Sequence, residues 1–326
     1  MENNIIITEI MQEMLGYIDN AESKKLKEVL EHVFAKHTEL KPGLDEPNNE
    51  DLINKFISAK RIEGCSEKTL SYYKNTIEKV LEYIKKDIVH ITTDDLRGYF
   101  ADYQGTGISK VTVDNVRRNL SSFFSWLEEE DYILKSPIRR IHKVKITKTV
   151  KETFSDEELQ KIRDNCNVAR DLAMVDLMAS SGLRVGELVL LNRSDIDFQE
   201  REAIVLGKGD KERVIYFDAR TKIHLKEYLD SRKDNEEALF VSLRKGYKRM
   251  SINGIESRIR NIGKKVGLHK VHPHKFRRTF ATQAVDKGMP IEQLQQMMGH
   301  IRVDTTLMYA MVKQSNVKYA HRKYIG

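Results

Sequence analysis

Cysteine is scarce in this sequence, and long apolar runs are missing from it. The two cysteines among 326 residues, Cys65 and Cys166, lie far apart, so we expect neither a disulfide framework nor a zinc site. No apolar run approaches the roughly 20 residues of a membrane span, and the N-terminus lacks the basic start of a signal peptide. These absences predict a soluble protein of a reducing cytoplasm, with no membrane partner.

The charge of the chain is unevenly distributed. Residues 1–48 contain ten acidic residues and five lysines, a net charge of −5, which leaves +12 on the rest because the whole chain carries +7. A basic body with an acidic arm predicts a polyanionic partner, most simply nucleic acid. A solvated basic surface without a partner is the alternative, and charge by itself leaves it open.

Residues 1–48 are predicted to form an acidic helical hairpin followed by a linker. Apolar residues recur at helical spacing on both sides of the DNAES break, and KPGLDEPNNE (41–50) carries the prolines and glycine of a connection. Two short amphipathic helices cannot bury both apolar stripes alone. We therefore predict that the hairpin contacts protein, either the rest of the chain or a second protomer.

Residues 49–138 have the pattern of a four-helix unit. Ser66, Thr93 and Ser109 are predicted N-caps, and the helices after Ser66 and Ser109 carry continuous apolar stripes. A helix with a basic face fits the major groove of DNA. Basic residues predicted to contact DNA in and after this unit are Lys68, Lys74, Lys110, Arg117, Arg118, Arg139, Arg140 and Lys143. Ordinary exposed lysine and arginine is the alternative at each position.

A basic segment lies at 139–152, and residues 137–151 contain no acidic residue. The region after it mixes helical and β-rich patterns. We predict that the basic segment is an interdomain linker that crosses the DNA backbone. In residues 153–326, Ser155 and Glu158 form a predicted capping box, and two β-rich runs at 203–217 predict a hairpin. Helical patterns occupy most of the rest, so the predicted class is mainly α with a small β-sheet (α+β).

Four motifs place cationic or nucleophilic groups at the ends of predicted elements. They are SGLRVGEL with Arg184, LGKGDKERV with Lys208, HPHKFRRTFAT with His274 and Arg277, and MGHIRVDTTLMYA with His300 and Tyr309. His274 and Arg277, three residues apart on a helix that begins at Pro273, share a face. Each motif taken singly has a structural alternative: Arg184 pairs with Glu187, Lys208 is an ordinary turn residue, His272 and His274 bond to backbone carbonyls, and Tyr309 fills a core.

Together these residues fit chemistry on a phosphodiester. Two arginines bind nonbridging phosphate oxygens, and a tyrosine attacks phosphorus once its proton is accepted. A lysine among arginines has its pKa lowered and suits protonation of the leaving oxygen. The histidines have no neighbouring ligands at metal spacing and the Gly-Lys-Gly turn is no P-loop, so we expect neither metal nor cofactor.

The four motifs, in this order, resemble those of the tyrosine recombinases, the family of phage integrases, Xer recombinases and Cre. The resemblance covers residues 49–326 and is strongest from Thr153 onward. It implies that Tyr309 is the nucleophile, that Arg184 and Arg277 clamp the phosphate, and that Lys208 is the general acid. It also implies that His274 and His300 assist proton transfer and positioning.

The resemblance further implies a clamp around double-stranded DNA, with a SAM-like core-binding domain at 49–138 and a catalytic domain with a C-terminal tail at 153–326. Members assemble as homo-tetramers on paired, inverted-repeat sites and exchange strands through 3′-phosphotyrosyl bonds, leading to integration, excision, inversion or resolution. The tail is an expected contact between protomers, and the expected location is the cytoplasm, at the bacterial nucleoid. The hairpin at 1–48 is not part of the family pattern; its own residues predict a second contact between protomers, with a cover over the basic DNA surface as the alternative. Two alternatives are a type IB topoisomerase and a noncatalytic DNA-binding regulator of the same fold.

Overall fold

The structure, a computed structural model, describes most of the chain. The described residues are 2–38, 48–146, 152–207, 212–244, 246–299 and Thr306, with side chains described for all of them except 2–5 and 35–38. The chain divides into two compact units, Met1–Lys148 and Thr149–Gly326.

All the regular secondary structure in the described part of the first unit is helical. Its α-helices are α1 (Glu2–Met14), α2 (Asn20–Thr38), α3 (Asn49–Ile62), α4 (Glu67–Ile84), α5 (Thr93–Gly105) and α6 (Lys110–Glu129). Short 3-10 helices lie at Ile88–His90 and Pro137–Arg140. The predicted four-helix pattern after residue 48 is therefore confirmed as α3 to α6.

One apolar core holds α3 to α6 together. The stripes predicted for α4 and α6 face it, with Ile77, Leu120 and Phe123 each almost fully buried. Phe56 of α3 meets Phe123 edge to face, with 5.1 Å between ring centroids. Burying each such side chain stabilises the fold by about 1.5–3 kcal/mol. The apolar residues that helical spacing predicts for α4 and α6 therefore contribute to this core.

The N-terminal hairpin is confirmed as two helices, α1 packed on α2. Ile7 is buried, but Leu15, Val29 and Val33 expose 67%, 51% and 42% of their surface. Within the described residues the hairpin therefore leaves part of its apolar stripes uncovered, as two short helices must.

Predicted helix starts are confirmed at Ser66, Ser109 and Ser155, whose side-chain oxygens accept backbone N–H groups of the first turns of α4, α6 and α7 (Asp156–Asp164). The prediction for α5 is wrong by one residue. Thr92 is the N-cap, because it forms a capping box with Asp95. The Thr93 hydroxyl instead donates to the carbonyl of Pro137, at 2.7 Å.

The basic segment after α6 starts as part of the first unit rather than as a free linker. Ile138 is buried in the core of this unit, and Ile141 and Val144 pack against that core. The backbone N–H of Val144 donates to Asp114 Oδ1 on α6, at 3.2 Å. Apolar residues spaced three apart thus anchor the segment to the first unit as far as Val144. The predicted start of the interdomain linker at residue 139 is therefore too early. Residues 147–151 lie outside the described residues.

The second unit combines helices with a small sheet. Its helices are α7, α8 (Ala169–Ser181), α9 (Val185–Leu190), α10 (Ala219–Asp230), α11 (Ile252–Lys265), α12 (Pro273–Asp286) and α13 (Ile291–Met298), with a 3-10 helix at Arg193–Asp195. Its strands are β1 (Ile196–Asp197), β2 (Glu202–Leu206) and β3 (Glu212–Tyr216). The predicted class, mainly α with a small β-sheet, is confirmed.

The sheet has the order β1-β2-β3, with both pairs antiparallel. The predicted hairpin is confirmed in β2 and β3, whose register ends at the pair Leu206 and Glu212. The two-residue strand β1 was not predicted, since it is too short to show an alternating pattern. Pro290 is the N-cap of α13.

No helix in the described part of the chain is both long enough and apolar enough to cross a membrane.

Candidate active site

The turn between α8 and α9 orients Arg184. Gly182 ends α8 in the left-handed conformation, with φ of 61°, and Arg184 is the N-cap of α9. A Cβ at position 182 would lie 2.4 Å from Phe280 Cδ1. Only glycine therefore allows both this turn and the close approach of α12.

Arg184 is held by Glu187, one turn further along the chain. Its Nη1 donates to Glu187 Oε1 at 2.8 Å, and its backbone N–H donates to Glu187 Oε2 at 2.6 Å. The side chain of Arg184 is 32% exposed, whereas that of Glu187 is 3% exposed. The pairing that we named as an alternative is thus real, and it leaves the arginine partly open to solvent.

Helix α12 supplies the second arginine. It begins at Pro273, as predicted, and packs on both α8 and α13. Arg277 is buried, and its Nη1 donates to the carbonyl of Gly182 at 2.6 Å. This bond ties the second arginine directly to the turn that carries Arg184. His274, one turn earlier on α12, is exposed.

Three arginines converge on the carboxyl end of α13. Arg213 Nη1, Arg277 Nη2 and Arg184 Nη2 donate to the carbonyls of Met297, Met298 and Gly299 in turn, the last at 2.9 Å. Terminal carbonyls have no partner within their own helix and carry the negative end of its dipole, so they bind cations well. These bonds bring Arg184 and Arg277 to one place.

Arg213 was missed by the sequence analysis. It is the second residue of β3, its side chain is 11% exposed, and its Nη2 donates to Glu187 Oε2 at 2.7 Å. Glu187 therefore bridges two arginines. The only local signal was a further cation within LGKGDKERV, which nothing distinguished from its neighbours.

The electrostatics of the cluster favour an ionised Glu187. Burial on its own would raise the pKa of Glu187, but the backbone N–H of Arg184 and the charge of Arg213 outweigh it, so the pKa lies below its usual range. Partial desolvation and the nearby charge of Arg277 lower the pKa of His274, although its side chain is exposed. His274 is therefore neutral near pH 7 and able to accept a proton.

Three of the predicted catalytic residues, Lys208, His300 and Tyr309, lie outside the described residues. In chain order, Lys208 falls between β2 and β3, and His300 directly follows Gly299, the residue whose carbonyl Arg184 binds. Within the described ranges no group of three or more His, Cys, Asp or Glu side chains is arranged to hold a metal ion.

The predicted DNA-contacting residues fall into two classes. Those that are exposed in the structure are Lys68, Lys74, Lys110, Arg118, Arg139, Arg140 and Lys143. Arg117 is half-buried and bonded to Asp114 at 2.9 Å. Arg139, though exposed, pairs with Glu128 at 3.2 Å.

Several of these residues line one cleft of about 570 Å³ between α6 and the basic segment. Its walls include the cations Arg117, Arg139 and Lys143, the hydroxyls of Ser121 and Ser125, and the side chain of His142. Glu128 and Glu129 also border it, so the cleft is not purely cationic.

The sequence matches two known protein domains. Residues 152–316 match the phage integrase family, and residues 52–134 match the N-terminal SAM-like domain of phage integrases. The tyrosine recombinase XerA of Pyrococcus horikoshii is 31% identical over 279 residues, which cover 84% of this chain and 94% of XerA. The tyrosine recombinase XerC of Oceanobacillus iheyensis is 29% identical over 288 residues, 83% of this chain and 94% of XerC.

Two solved structures share the fold at low sequence identity. The XerH site-specific recombinase, bound to a palindromic difH substrate in a post-cleavage complex, has a TM-score of 0.67 at 20% identity and covers 98% of this chain and 95% of its own. The Tn1549 transposon integrase, in complex with circular intermediate DNA, has a TM-score of 0.68 at 18% identity, and the match covers 84% of this chain and 99% of the integrase chain.

Proposed function

The chain belongs to the phage integrase family and is a tyrosine recombinase, and we propose that it cleaves and rejoins DNA at specific sites through a 3′-phosphotyrosyl intermediate. The observation that supports this best is the meeting of Arg184 and Arg277 at the end of α13, one residue before His300. Two guanidinium groups at one point suit a phosphodiester, whose two nonbridging oxygens share the negative charge.

In the proposed reaction Tyr309 attacks the phosphorus, a tyrosyl–phosphate bond forms at the 3′ end, and the bond to the 5′-oxygen breaks. Lys208 gives its proton to that leaving oxygen, and the phenol proton passes to a neutral histidine, for which the lowered pKa of His274 is suited. Arg184 and Arg277 neutralise the charge that develops on the nonbridging oxygens. Attack by the free 5′-hydroxyl of another strand reverses these steps and rejoins the DNA.

The first unit is proposed to hold the duplex through its phosphates. The cleft beside α6 offers Arg117, Arg139 and Lys143 together with the hydroxyls of Ser121 and Ser125, which are typical phosphate contacts. Binding through several such contacts falls steeply with salt concentration. Glu128 and Glu129 at its border limit how many phosphates this surface accepts.

Recombination requires two duplexes to be held together, and we propose a homo-tetramer on paired, inverted-repeat sites. The exposed Leu15, Val29 and Val33 of the acidic hairpin support a protein contact there, since a net charge of −5 is repelled by DNA. The C-terminal tail, proposed as the other contact between protomers, lies outside the described residues.

The topoisomerase and regulator alternatives are less favoured. Relatives that match more than four fifths of the chain, among them XerC and XerA proteins, are tyrosine recombinases, and this favours the recombinase over a topoisomerase. The position of Arg184 and Arg277 at one helix end also supports a catalytic role, because a noncatalytic regulator has no need of two arginines there.

Covalent trapping tests the proposal. A pool of nicked duplexes of random sequence is incubated with the protein, and the DNA that becomes covalently attached is sequenced. Wild type is expected to yield one recurrent junction, Tyr309→Phe no adduct, and the control Tyr319→Phe the same adduct as wild type. An adduct that persists in Tyr309→Phe removes that residue from its role. Relaxation of a plasmid that lacks the recovered site supports the topoisomerase instead.

A further inference from the structure

We propose that Arg213 is a positioning residue of the reaction centre, which holds Glu187 and the carboxyl end of α13 so that the guanidinium of Arg184 faces the scissile phosphate. The inference rests on the proposed function, since it concerns the same site.

The hydrogen bonds of Arg213 run to the groups that hold Arg184. Its Nη2 donates to Glu187 Oε2 at 2.7 Å, the same oxygen that accepts the backbone N–H of Arg184 at 2.6 Å. The other oxygen of Glu187 accepts Arg184 Nη1 at 2.8 Å. A buried carboxylate with a single cation rotates more easily than one fixed from two sides, so Arg213 sets the orientation that Glu187 imposes on Arg184.

A further bond of Arg213 fixes the helix end that accepts the other terminal nitrogen of Arg184, Nη2. Arg213 Nη1 donates to the carbonyl of Met297, two residues before the Gly299 carbonyl that accepts Arg184 Nη2. Arg213 thereby secures the helix end on which Arg184 rests. Because its side chain is 11% exposed and its bonds run to protein groups, it acts through Arg184 rather than on the DNA.

The packing at Gly299 shows how closely this arrangement is fitted. Gly299 has a φ of 59°, and a Cβ there would lie 2.7 Å from Arg213 Cδ and 2.9 Å from Arg213 Nε. The aliphatic part of Arg213 thus occupies the space over the glycine that a side chain would need. In chain order Arg213 lies five residues after Lys208, and Gly299 directly precedes His300. A residue that joins β3 to the end of α13 therefore links the two segments that lead to these predicted catalytic side chains.

Another arginine of the same unit offers a matched control. The side chain of Arg232 is 3% exposed, and its Nη1 donates to the carbonyls of Ala238 and Leu239, at 2.6 and 3.1 Å. Its described bonds do not involve Arg184, Glu187 or Arg277. Arg232→Lys therefore perturbs a buried arginine that binds a carboxylate and backbone carbonyls away from the candidate site.

The test compares cleavage rates on two forms of the nicked duplex recovered by covalent trapping. One has the ordinary phosphodiester, and in the other a methyl group replaces one nonbridging oxygen at the scissile position. The methylphosphonate is uncharged and needs the arginine clamp less. A misplaced Arg184 therefore slows cleavage of the phosphodiester far more than cleavage of the methylphosphonate, whereas a general loss of folded protein slows both equally.

For Arg213→Ala we expect phosphodiester cleavage to fall about 10²-fold, the usual effect of a misplacement near 1 Å. Affinity for the duplex should stay within about twofold, and the defect on the methylphosphonate should be at least tenfold smaller. Arg213→Lys should resemble Arg213→Ala, because one ammonium cannot span both Glu187 and the Met297 carbonyl. Arg232→Lys should match wild type on both substrates.

Three outcomes overturn the inference. Wild-type rates in Arg213→Ala exclude a positioning role. Equal defects on the two substrates would show that the residue is merely structural. Full activity in Arg213→Lys would show that a positive charge is enough and that the two-sided bonding of the guanidinium is not needed. The proposed function fails separately, and earlier, if wild type forms no covalent adduct with any duplex of the pool.

Discussion

Replacing Glu187 by glutamine should destabilise the second unit more than any surface change of equal size. Glu187 accepts three hydrogen bonds, at 2.6, 2.7 and 2.8 Å, and its side chain is 3% exposed. Glutamine offers one oxygen and turns its NH₂ group towards arginine donors, leaving Arg184 and Arg213 facing each other without a counter-ion. Removing one partner from a buried ion pair costs about 3–5 kcal/mol, and we expect Glu187→Gln to fall in that range.

Urea denaturation of the full chain measures this effect. Far-UV circular dichroism follows both units, whereas fluorescence of Trp126, the single tryptophan and part of the first unit's core, follows that unit separately. The exposed Glu292 on α13 provides the control Glu292→Gln, which should stay within about 0.5 kcal/mol of wild type. A loss below about 1 kcal/mol in Glu187→Gln would refute the bridging role assigned to this carboxylate.

The effect should also depend on pH in a defined direction. Although burial opposes it, the Arg184 backbone N–H and the Arg213 charge hold the pKa of Glu187 below its usual range. The unfolded chain therefore takes up a proton near pH 4.3, before the folded one does. The stability that ionised Glu187 supplies is fully present above that pH and is lost as the pH falls through the lower folded-state pKa. The difference between wild type and Glu187→Gln should be constant near neutrality and shrink in acid.

Three further predictions concern the reaction and the assembly. Lys208→Ala should slow cleavage by about 10²–10⁴-fold. A substrate with a 5′-bridging phosphorothiolate, whose leaving group needs no proton, should largely restore the rate. Equal defects on both substrates would exclude the general-acid role. Because the pKa of His274 is lowered, the rate of single-turnover cleavage should be constant above about pH 6.5 and should decrease at lower pH. His274→Gln should lose this pH dependence. Deleting residues 1–48 should weaken the pairing of two DNA sites, while the affinity for a single site changes little. Tighter DNA binding with a steeper salt dependence would instead indicate that the hairpin covers the DNA-binding surface of the protein.

Local pattern in the sequence is enough to predict the helices and most of their ends. A helical face repeats every 3.6 residues, and a capping box closes within four, so the stripe of α6 and the Ser155 cap are both visible in a short window. Where two neighbouring residues both suit a cap, as at Thr92 and Thr93, the choice depended on Asp95 and on the distant carbonyl of Pro137. The anchoring of the basic segment likewise depended on contacts with α6.

The sequence by itself also determined which side chains to suspect at the site, because motifs such as SGLRVGEL and HPHKFRRTFAT name Arg184 and Arg277 directly. Only the tertiary structure decided that Arg213 joins them. Its bond to Met297 spans 84 positions of the chain, and the bond from Arg184 to Gly299 spans 115. Contacts between residues so far apart leave no periodic trace in the sequence, since they arise only when α13 brings its terminal carbonyls to arginines on separate elements. Arg213 lies in no position that the motifs single out, so it looks like any other arginine until that packing selects it.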